Sequence, residues 1–279
     1  MLLSKAWETY ESDKRIEGFS PQTLKAYKLQ SSLLIRYFKD VNVDTKSTVQ
    51  LKEYLAKSSE TLKPSSLSHR IRFIKSFFRW SHEEGFISKN PAARIKEPKA
   101  GKRIPKFLTE IEIEYLCEAC NSTLEKALFE FMFSIGCRIG EILTLQRSRI
   151  NWSNRSAIVR GKGDKEREVY FNIRCKIWLK RYLEQRQDGD EAIFVTERYP
   201  HRMSIAQMRY IIKRISKRAG INKTIHPHQL RHSFATYMLN NGAPLEVIQS
   251  LLGHEKSETT RIYAQLSGSL RQELYRKYF

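Results

Sequence analysis

Apolar side chains recur at helical spacing through the first hundred residues, and alternating patterns are absent there. Ser20 and Pro21 suit the N-cap and first position of a helix. Behind them an apolar stripe runs down one helical face, interrupted only by Ser31. The stripe consists of Leu24, Tyr27, Leu34 and Phe38. This spacing predicts a long amphipathic helix near the N-terminus.

A second helix is predicted to begin at Pro64, and its two faces differ in character. One face is apolar and is formed by Leu67, Ile71, Ile74 and Phe78. The other carries three basic residues at i, i+3 and i+7: Arg72, Lys75 and Arg79. Such a basic stripe could lie along a DNA backbone or could simply be a solvated helix face. These helices predict a helical, DNA-binding N-terminal domain over residues 1–97.

No periodic pattern survives between residues 90 and 107, where three prolines, a glycine and six basic residues occur together. Such a composition is typical of a segment between domains. We predict a basic linker over residues 98–107, long enough to span a duplex so that two domains grip opposite faces. A second domain is then predicted over residues 108–279.

Helical signals dominate the second domain, with one short exception. Thr109 and Glu112 form a capping pair at a helix start, and helical patterns continue to about Gln146. Two β-favouring runs, residues 157–160 and 167–170, then flank a glycine-containing turn over residues 161–165, which indicates a hairpin. The predicted fold class is mainly α: a helical N-terminal domain and an α-rich second domain with a small antiparallel sheet.

The charge of the chain narrows the choice of partner. The 279 residues include 50 basic and 30 acidic side chains, a net charge of +20. Because no apolar run approaches the roughly 18 residues of a membrane span, the excess favours nucleic acid over membrane. No signal peptide is recognisable, and four cysteines are too few for a disulfide framework, so a cytoplasmic location is expected.

Arginine, histidine and tyrosine side chains gather in the last quarter of the sequence. His228 and Arg231 are followed by His254 in a Gly-His pair, and Tyr263 lies nine residues beyond it. These residue types suit attack on a phosphodiester, because arginine binds non-bridging oxygens, histidine transfers protons and a phenolic oxygen can attack phosphorus. Arg138 and Glu141, in an Arg-Ile-Gly-Glu segment, strengthen this interpretation.

In their order and spacing, these motifs resemble those of the tyrosine site-specific recombinases, the phage-integrase family, and most closely its compact Xer-like branch. The matching pieces are the Arg-Ile-Gly-Glu segment, the Gly-Lys-Gly turn at Lys162, the His-Gln-Leu-Arg run at His228, Gly253-His254, and Thr-Thr-Arg-Ile-Tyr ending at Tyr263. The N-terminal helices fit the family's core-binding domain more loosely.

The resemblance implies a role for each matching residue. Arg138 and Arg231 would clamp the scissile phosphate, and Tyr263 would be the nucleophile. Lys162 would be the general acid, with Lys165 as the rival candidate three residues away. His228 would transfer a proton to or from the tyrosine, and His254 would hydrogen-bond the phosphate. Glu141, one helical turn after Arg138, would orient that arginine.

Two other motifs suggest different chemistry and are set aside. His228 and His232 are four residues apart, but no carboxylate completes a zinc motif around them. Cys117 and Cys120 lie in a helical stretch without a second pair, which favours core packing. The chain also lacks a phosphate-binding glycine loop of the ATPase kind. We therefore expect no metal and no cofactor.

The resemblance also implies an assembly: a homotetramer on two double-stranded recombination sites, with or without a partner recombinase. A tail helix after Tyr263 would dock onto a neighbouring protomer or onto its own domain. An Xer-like resolution of dimers or cointegrates is expected. The alternatives are a compact mobile-element integrase, a type IB topoisomerase, and a DNA-binding module without catalysis.

Overall fold

The computed structural model describes residues 1–98, 107–161, 164–223 and 225–253. Contacts divide the chain into two compact units, Met1–Lys102 and Arg103–Phe279. The predicted linker over residues 98–107 falls almost entirely outside the described residues, so its bounds stay a prediction.

The first unit is built from helices, as predicted. Ser20 caps the second of them, because its side chain accepts a hydrogen bond from the backbone N–H of Thr23. Its described residues form the helices α1 (Leu3–Ile16), α2 (Pro21–Phe38), α3 (Thr48–Ser59) and α4 (Pro64–Glu83), with a short 3-10 turn at Val43–Thr45.

Aromatic side chains form the core of this unit. Tyr10, on α1, is fully buried and makes edge-to-face contacts with Phe73, Phe77 and Trp80 of α4. Ring pairs of this kind add stabilisation beyond the area they bury. The indole nitrogen of Trp80 donates to Asp13 at 2.7 Å, which satisfies the polar end of a buried ring. The aromatic core therefore fixes α1 against α4.

The second unit begins with the predicted capping pair. The Thr109 side chain accepts from the N–H of Glu112, and the Glu112 carboxylate accepts from the N–H of Thr109. The helices of this unit are α5 (Glu110–Glu118), α6 (Thr123–Ile135), α7 (Ile139–Thr144), α8 (Ile173–Glu184), α9 (Ile205–Arg218), α10 (Pro227–Asn240) and α11 (Leu245–Leu252).

The predicted hairpin is present, and a third strand joins it. The antiparallel sheet has the order β1 (Ile150–Asn151), β2 (Ser156–Arg160), β3 (Glu166–Tyr170). Arg160 pairs with Glu166 at the end nearest the loop, and Ala157 pairs with Val169 further back. The sequence did not indicate β1, because two residues are too few for an alternating pattern. The mainly α fold class is confirmed.

Helix α6 lies at the centre of the second unit. Ala127, Leu128, Phe129, Phe131 and Met132 are all buried, so the helix is covered on nearly every side. The two glutamates that are buried on the same helix are paired with arginines, as buried charges require. The helix packs against α8 and α10. Its carboxyl end therefore reaches the middle of the unit, and Gly136 follows it directly.

Gly136 ends α6 in a conformation that an L-amino acid rarely adopts. Its φ is +58°, and a Cβ there would stand 2.3 Å from the Phe234 ring. We expect Gly136→Ala to lower the free energy of unfolding by about 2–4 kcal/mol, from a left-handed backbone and an overpacked ring. Urea unfolding would measure the change. Gly140→Ala is the matched control, because nothing lies within 4 Å of its Cβ position; an equal loss in both variants would contradict the explanation.

Candidate active site

Arg138 lies at the N-terminus of α7, at the helix boundary itself. Its backbone is extended, and its N–H donates to Glu141 Oε2 at 2.8 Å. Its guanidinium Nη1 donates to Glu141 Oε1 at 3.0 Å, and 38% of the side chain remains exposed. The predicted contact between Glu141 and Arg138 is present. The carboxylate thus holds both the backbone and the side chain of this arginine.

Arg231 lies on α10 and is only 4% exposed. Its Nη1 donates to the Gly136 carbonyl and its Nη2 to the Leu252 carbonyl, each at 2.8 Å. These two carbonyls end α6 and α11. The side chain therefore joins three helices, and its guanidinium is fixed by the fold. His228 precedes it by three residues on α10, which places the two on one face of the helix.

Arg167, on β3, belongs to the same cluster, although no sequence motif pointed to it. Its Nη1 and Nη2 donate to the two oxygens of Glu141 at 2.9 and 2.8 Å. Its Nε donates to the Leu251 carbonyl at 3.0 Å, and only 15% of the side chain is exposed. Arg167 lies two residues before buried Val169 on the strand, so both side chains are on the core-facing side of the sheet. An arginine at a core-facing position of a strand was the signal by which the sequence could have indicated it.

The carboxyl end of α11 is where the three arginines meet. Successive carbonyls of Leu251, Leu252 and Gly253 accept from Arg167, Arg231 and Arg138, at 3.0, 2.8 and 3.2 Å. The last carbonyls of a helix lack intrahelical partners and carry a partial negative charge. Cations drawn from β3, α10 and α7 satisfy them. The end of α11 therefore fixes the positions of three arginines that are far apart in the sequence.

Glu141 remains ionised at the centre of this positive cluster. Burial alone would raise its pKa, but hydrogen bonds and charge from Arg167, together with the Arg138 contacts, hold the pKa below its ordinary value. Beside it, burial and the Glu141 charge raise the pKa of the Cys137 thiol to about 12, so this cysteine is a protonated packing residue at neutral pH.

His228 is neutral at physiological pH. Burial of the ring, followed by the charges of Arg231, Arg209 and Arg138, lowers its pKa below the ordinary 6.5. A lowered pKa means that the imidazole stays unprotonated down to a more acidic pH. His228 can therefore accept a proton at neutral pH.

We expect Arg209→Ala to move the pH dependence of the DNA cleavage that the resemblance implies. Arg209 is exposed on α9, and removing its charge takes away part of what opposes the imidazolium form. The His228 pKa then rises toward its ordinary value, so activity is lost at a higher pH as the solution is acidified. Single-turnover cleavage rates between about pH 5 and 8 would measure this. Arg209→Lys keeps the charge, and an equal shift in that variant would contradict the electrostatic cause.

Three predicted site residues, Lys162, His254 and Tyr263, lie outside the described residues, as does the predicted tail helix. The residues directly before two of them, Lys162 and His254, are described. Gly161 ends the described part of the hairpin just before Lys162, and Gly253 ends α11 just before His254. The structure thus brings together Arg138, Glu141, His228 and Arg231.

Arg72, Lys75 and Arg79 belong to the first unit, and all three are exposed on α4. Arg72 pairs with Glu97 at 2.9 Å, and Arg79 lies 4.0 Å from Glu83. Lys75 donates to the Ile95 carbonyl at 3.2 Å. The predicted basic stripe exists as a surface feature, and two of its three charges have carboxylate neighbours within the unit. Its contact with DNA remains a prediction.

Other candidate features have structural explanations. Cys117 and Cys120 are buried free thiols, as expected of core residues. Across the described segments, no group of three or more His, Cys, Asp and Glu side chains gathers as metal ligands would. Within the same residues, no helix combines the length and the apolar character needed to cross a membrane.

The chain belongs to the phage integrase family. The family model described as "Phage integrase family" matches residues 106–269, and the "Phage integrase, N-terminal SAM-like domain" model matches residues 8–85. The recognition from motifs is thereby confirmed: the protein is a tyrosine recombinase, an enzyme of DNA strand cleavage and rejoining.

Among curated relatives, the chain is similar to tyrosine recombinases XerC and XerD. It is 32% identical to XerC of Oceanobacillus iheyensis over 92% of this chain and 90% of that protein. It is 33% identical to XerD of Ralstonia nicotianae over 90% of this chain and 86% of the relative. The sequence identities to these XerC and XerD proteins are nearly equal, so they do not assign the chain to either type.

Solved structures have the same fold. The XerA recombinase is 27% identical, with a TM-score of 0.58, over 99% of this chain and 98% of that one. A lambda integrase fragment, solved as a dimer bound to a COC′ core site, gives a TM-score of 0.78 at 21% identity, over 92% of this chain and 96% of that one. At that identity the likeness concerns the fold alone.

Proposed function

We propose that this protein carries out site-specific recombination in which Tyr263 attacks a DNA phosphodiester. The supporting observation is the meeting of Arg138 and Arg231 at the carboxyl end of α11, beside a neutral His228. The phenolic oxygen bonds to phosphorus and displaces the 5′ oxygen of the next nucleotide. A 3′-phosphotyrosine link and a free 5′ hydroxyl result. The 5′ hydroxyl of the partner strand then attacks the phosphotyrosine, which forms a new phosphodiester and releases Tyr263.

The arginines act on the charge that develops during this displacement. As phosphorus becomes pentacovalent, negative charge concentrates on its non-bridging oxygens, which the guanidinium groups of Arg138 and Arg231 can bind. Because carbonyls and Glu141 already hold both groups, little reorganisation accompanies the reaction. The resulting rate gain depends on this prior placement.

Two proton transfers complete the step. Tyr263 must lose a proton to attack, because an ordinary phenol with a pKa near 10 is mostly un-ionised at neutral pH. Neutral His228 can accept that proton. The departing 5′ oxygen must gain a proton, which we assign to Lys162 on the hairpin loop. His254 would donate a hydrogen bond to the phosphate. The step needs no nucleotide, because the phosphotyrosine bond conserves the energy of the broken linkage.

The partner is double-stranded DNA carrying a recombination site. A net charge of +20 favours the polyanion, and Arg72, Lys75 and Arg79 offer a basic face on the first unit. Relatives support the assembly: one lambda integrase structure is a tetramer bound to a Holliday junction. We infer that four protomers join two sites and exchange strands through such a junction, in the cytoplasm.

The biological role that we favour is Xer-like resolution of DNA dimers or cointegrates. XerC and XerD relatives align with nine-tenths or more of this chain, and XerA over nearly all of it. A compact mobile-element integrase is the second candidate, because the Tn1549 transposon integrase has this fold at a TM-score of 0.73. A type IB topoisomerase would cleave without a specific site.

Covalent capture tests this proposal. The purified protein would be incubated with fragmented host DNA in EDTA and denatured in SDS, and the DNA that remains attached would be sequenced. Attachment at one discrete sequence is expected. Adducts scattered over all fragments would indicate a topoisomerase instead, and adducts that form only in a parallel reaction without EDTA would contradict metal-independent chemistry. Pairing two captured sites on one plasmid and scoring deletion then tests recombination itself.

A further inference from the structure

Resting on this proposed function, we propose that Arg167 is a positioning residue that locks the hairpin carrying Lys162 against Glu141 and the end of α11. It contacts no reacting atom in this scheme. Its effect on catalysis would pass through the placement of the general acid. The contacts that carry this inference lie entirely within the described residues of the second unit.

The guanidinium of Arg167 is held on three sides. Glu141 accepts from both Nη atoms, Leu251 accepts from Nε, and the Cys137 Sγ lies 3.6 Å from Nη2. A bidentate pair with a carboxylate that is 5% exposed fixes the plane of the group as well as its position. Since Arg167 is part of β3, this plane ties the strand to α7 and α11.

The base of the hairpin loop rests on this pair. A Cβ at Gly161 would stand 3.4 Å from Glu141 Oε1 and 3.5 Å from Arg167 Nη1, which is van der Waals contact. The Gly161 N–H donates to the Lys165 carbonyl at 2.8 Å and closes the loop. Lys162 directly follows Gly161 in the chain. The starting point of the loop that carries Lys162 is therefore set against the ion pair.

Gly253 provides an independent sign of how tightly Arg167 is enclosed. Its φ is +62°, and a Cβ there would come within 2.9 Å of Arg167 Nη1 and 3.0 Å of its Cζ. A side chain at Gly253, the residue that follows α11, would have to displace this guanidinium from its position. Arg167 therefore contacts the end of α11 closely.

A lysine cannot reproduce this arrangement. Its ammonium is a single point of charge, so it can neutralise Glu141 but cannot bind both carboxylate oxygens and the Leu251 carbonyl in one plane. Arg167→Lys keeps the charge beside the buried carboxylate and should keep the fold. It removes the geometry alone, which makes it the informative variant.

The test uses a captured DNA site in which sulfur replaces the 5′ bridging oxygen at the scissile phosphate. A thiolate leaves without prior protonation, so cleavage of this substrate does not need a general acid. Arg167→Lys is expected to slow single-turnover cleavage of the ordinary DNA by about 10²-fold, a typical result of misplacing a catalytic group by roughly 1 Å. Sulfur substitution is expected to restore most of that loss, as it should for Lys162→Ala.

Three controls make the result specific. Arg186→Lys alters an arginine that is even less exposed, at 4%, and is bound to Asp188 and to carbonyls outside the site; this variant should cleave both substrates normally. Arg138→Ala should stay slow on sulfur, because phosphate binding is lost. If the lysine variant unfolds, Arg167→Gln takes its place: it leaves Glu141 and its contacts with Arg138 intact, and its slow cleavage should also be relieved by sulfur.

Two outcomes would overturn the proposal: an ordinary cleavage rate in Arg167→Lys, or a loss that sulfur does not relieve. Thermal melting and DNA binding of each variant would show that the protein is folded. Failure of the proposed function would look different, since the unsubstituted protein would then form no Tyr263-dependent adduct on either substrate.

Discussion

Replacing Tyr263 by phenylalanine is expected to abolish covalent attachment to DNA and to leave DNA binding unchanged. The variant keeps the ring but lacks the oxygen that bonds to phosphorus, so no covalent intermediate can form. Removing a covalent nucleophile from a cooperating set of groups typically costs on the order of 10⁶ in rate. Denaturing gels with a labelled DNA fragment that contains the captured site would measure covalent attachment, and gel-shift titration at fixed salt would measure binding.

Tyr237→Phe is the matched control for this prediction. Tyr237 lies on α10, is 44% exposed, and packs edge-on against Phe133. Losing its hydroxyl should leave attachment intact. An adduct that persists in Tyr263→Phe and disappears in Tyr237→Phe would move the nucleophile to another residue. Loss of DNA binding in the Tyr263→Phe variant would show that the substitution disturbs more than the chemistry.

Local signals were enough to predict most of the fold. Ser20 and Thr109 cap their helices as expected, because a capping hydrogen bond needs only residues three apart. The hairpin was also predictable, since glycines separate two β-favouring runs. Strand β1 was missed because it has two residues and is defined by pairing with β2, not by its own pattern.

Site residues that belong to short sequence motifs could be proposed from the sequence, whereas contacts that only tertiary packing creates could not. Glu141 was assigned to Arg138 because the two are three residues apart. Its second partner, Arg167, is 26 residues away along the chain, and only the sheet brings it to the carboxylate. The role of the Leu251 and Leu252 carbonyls was equally hidden, because backbone atoms carry no sequence signal.

Arg138 and Arg231, the two arginines proposed to bind the phosphate, differ in burial, and the second large effect follows from that difference. Arg231→Ala is expected to slow cleavage by about 10²–10³-fold, the typical cost of losing one transition-state donor. It should also lower the free energy of unfolding by about 3 kcal/mol or more, because two hydrogen bonds from a charged group to buried carbonyls are lost. Urea unfolding and single-turnover cleavage would measure the two losses.

Arg138→Ala should slow cleavage to a similar extent but should lower the free energy of unfolding much less. Its side chain is 38% exposed, and Glu141 keeps its bidentate pair with Arg167, so the stability loss should stay below about 1 kcal/mol. Equal destabilisation by both substitutions would contradict the different burial of the two groups.

The double variant Arg138→Ala/Arg231→Ala tests whether the two arginines stabilise the same charge. Both guanidinium groups are fixed at the end of α11, on neighbouring carbonyls of Leu252 and Gly253. If they stabilise one phosphate in one transition state, removing the second arginine costs little once the first is gone, as in other cooperating catalytic groups. Arg138→Ala/Arg231→Ala should therefore cleave nearly as fast as Arg231→Ala alone. A rate reduced by the product of the two single losses would instead mean that the arginines act independently, and the shared site at α11 would have no catalytic meaning.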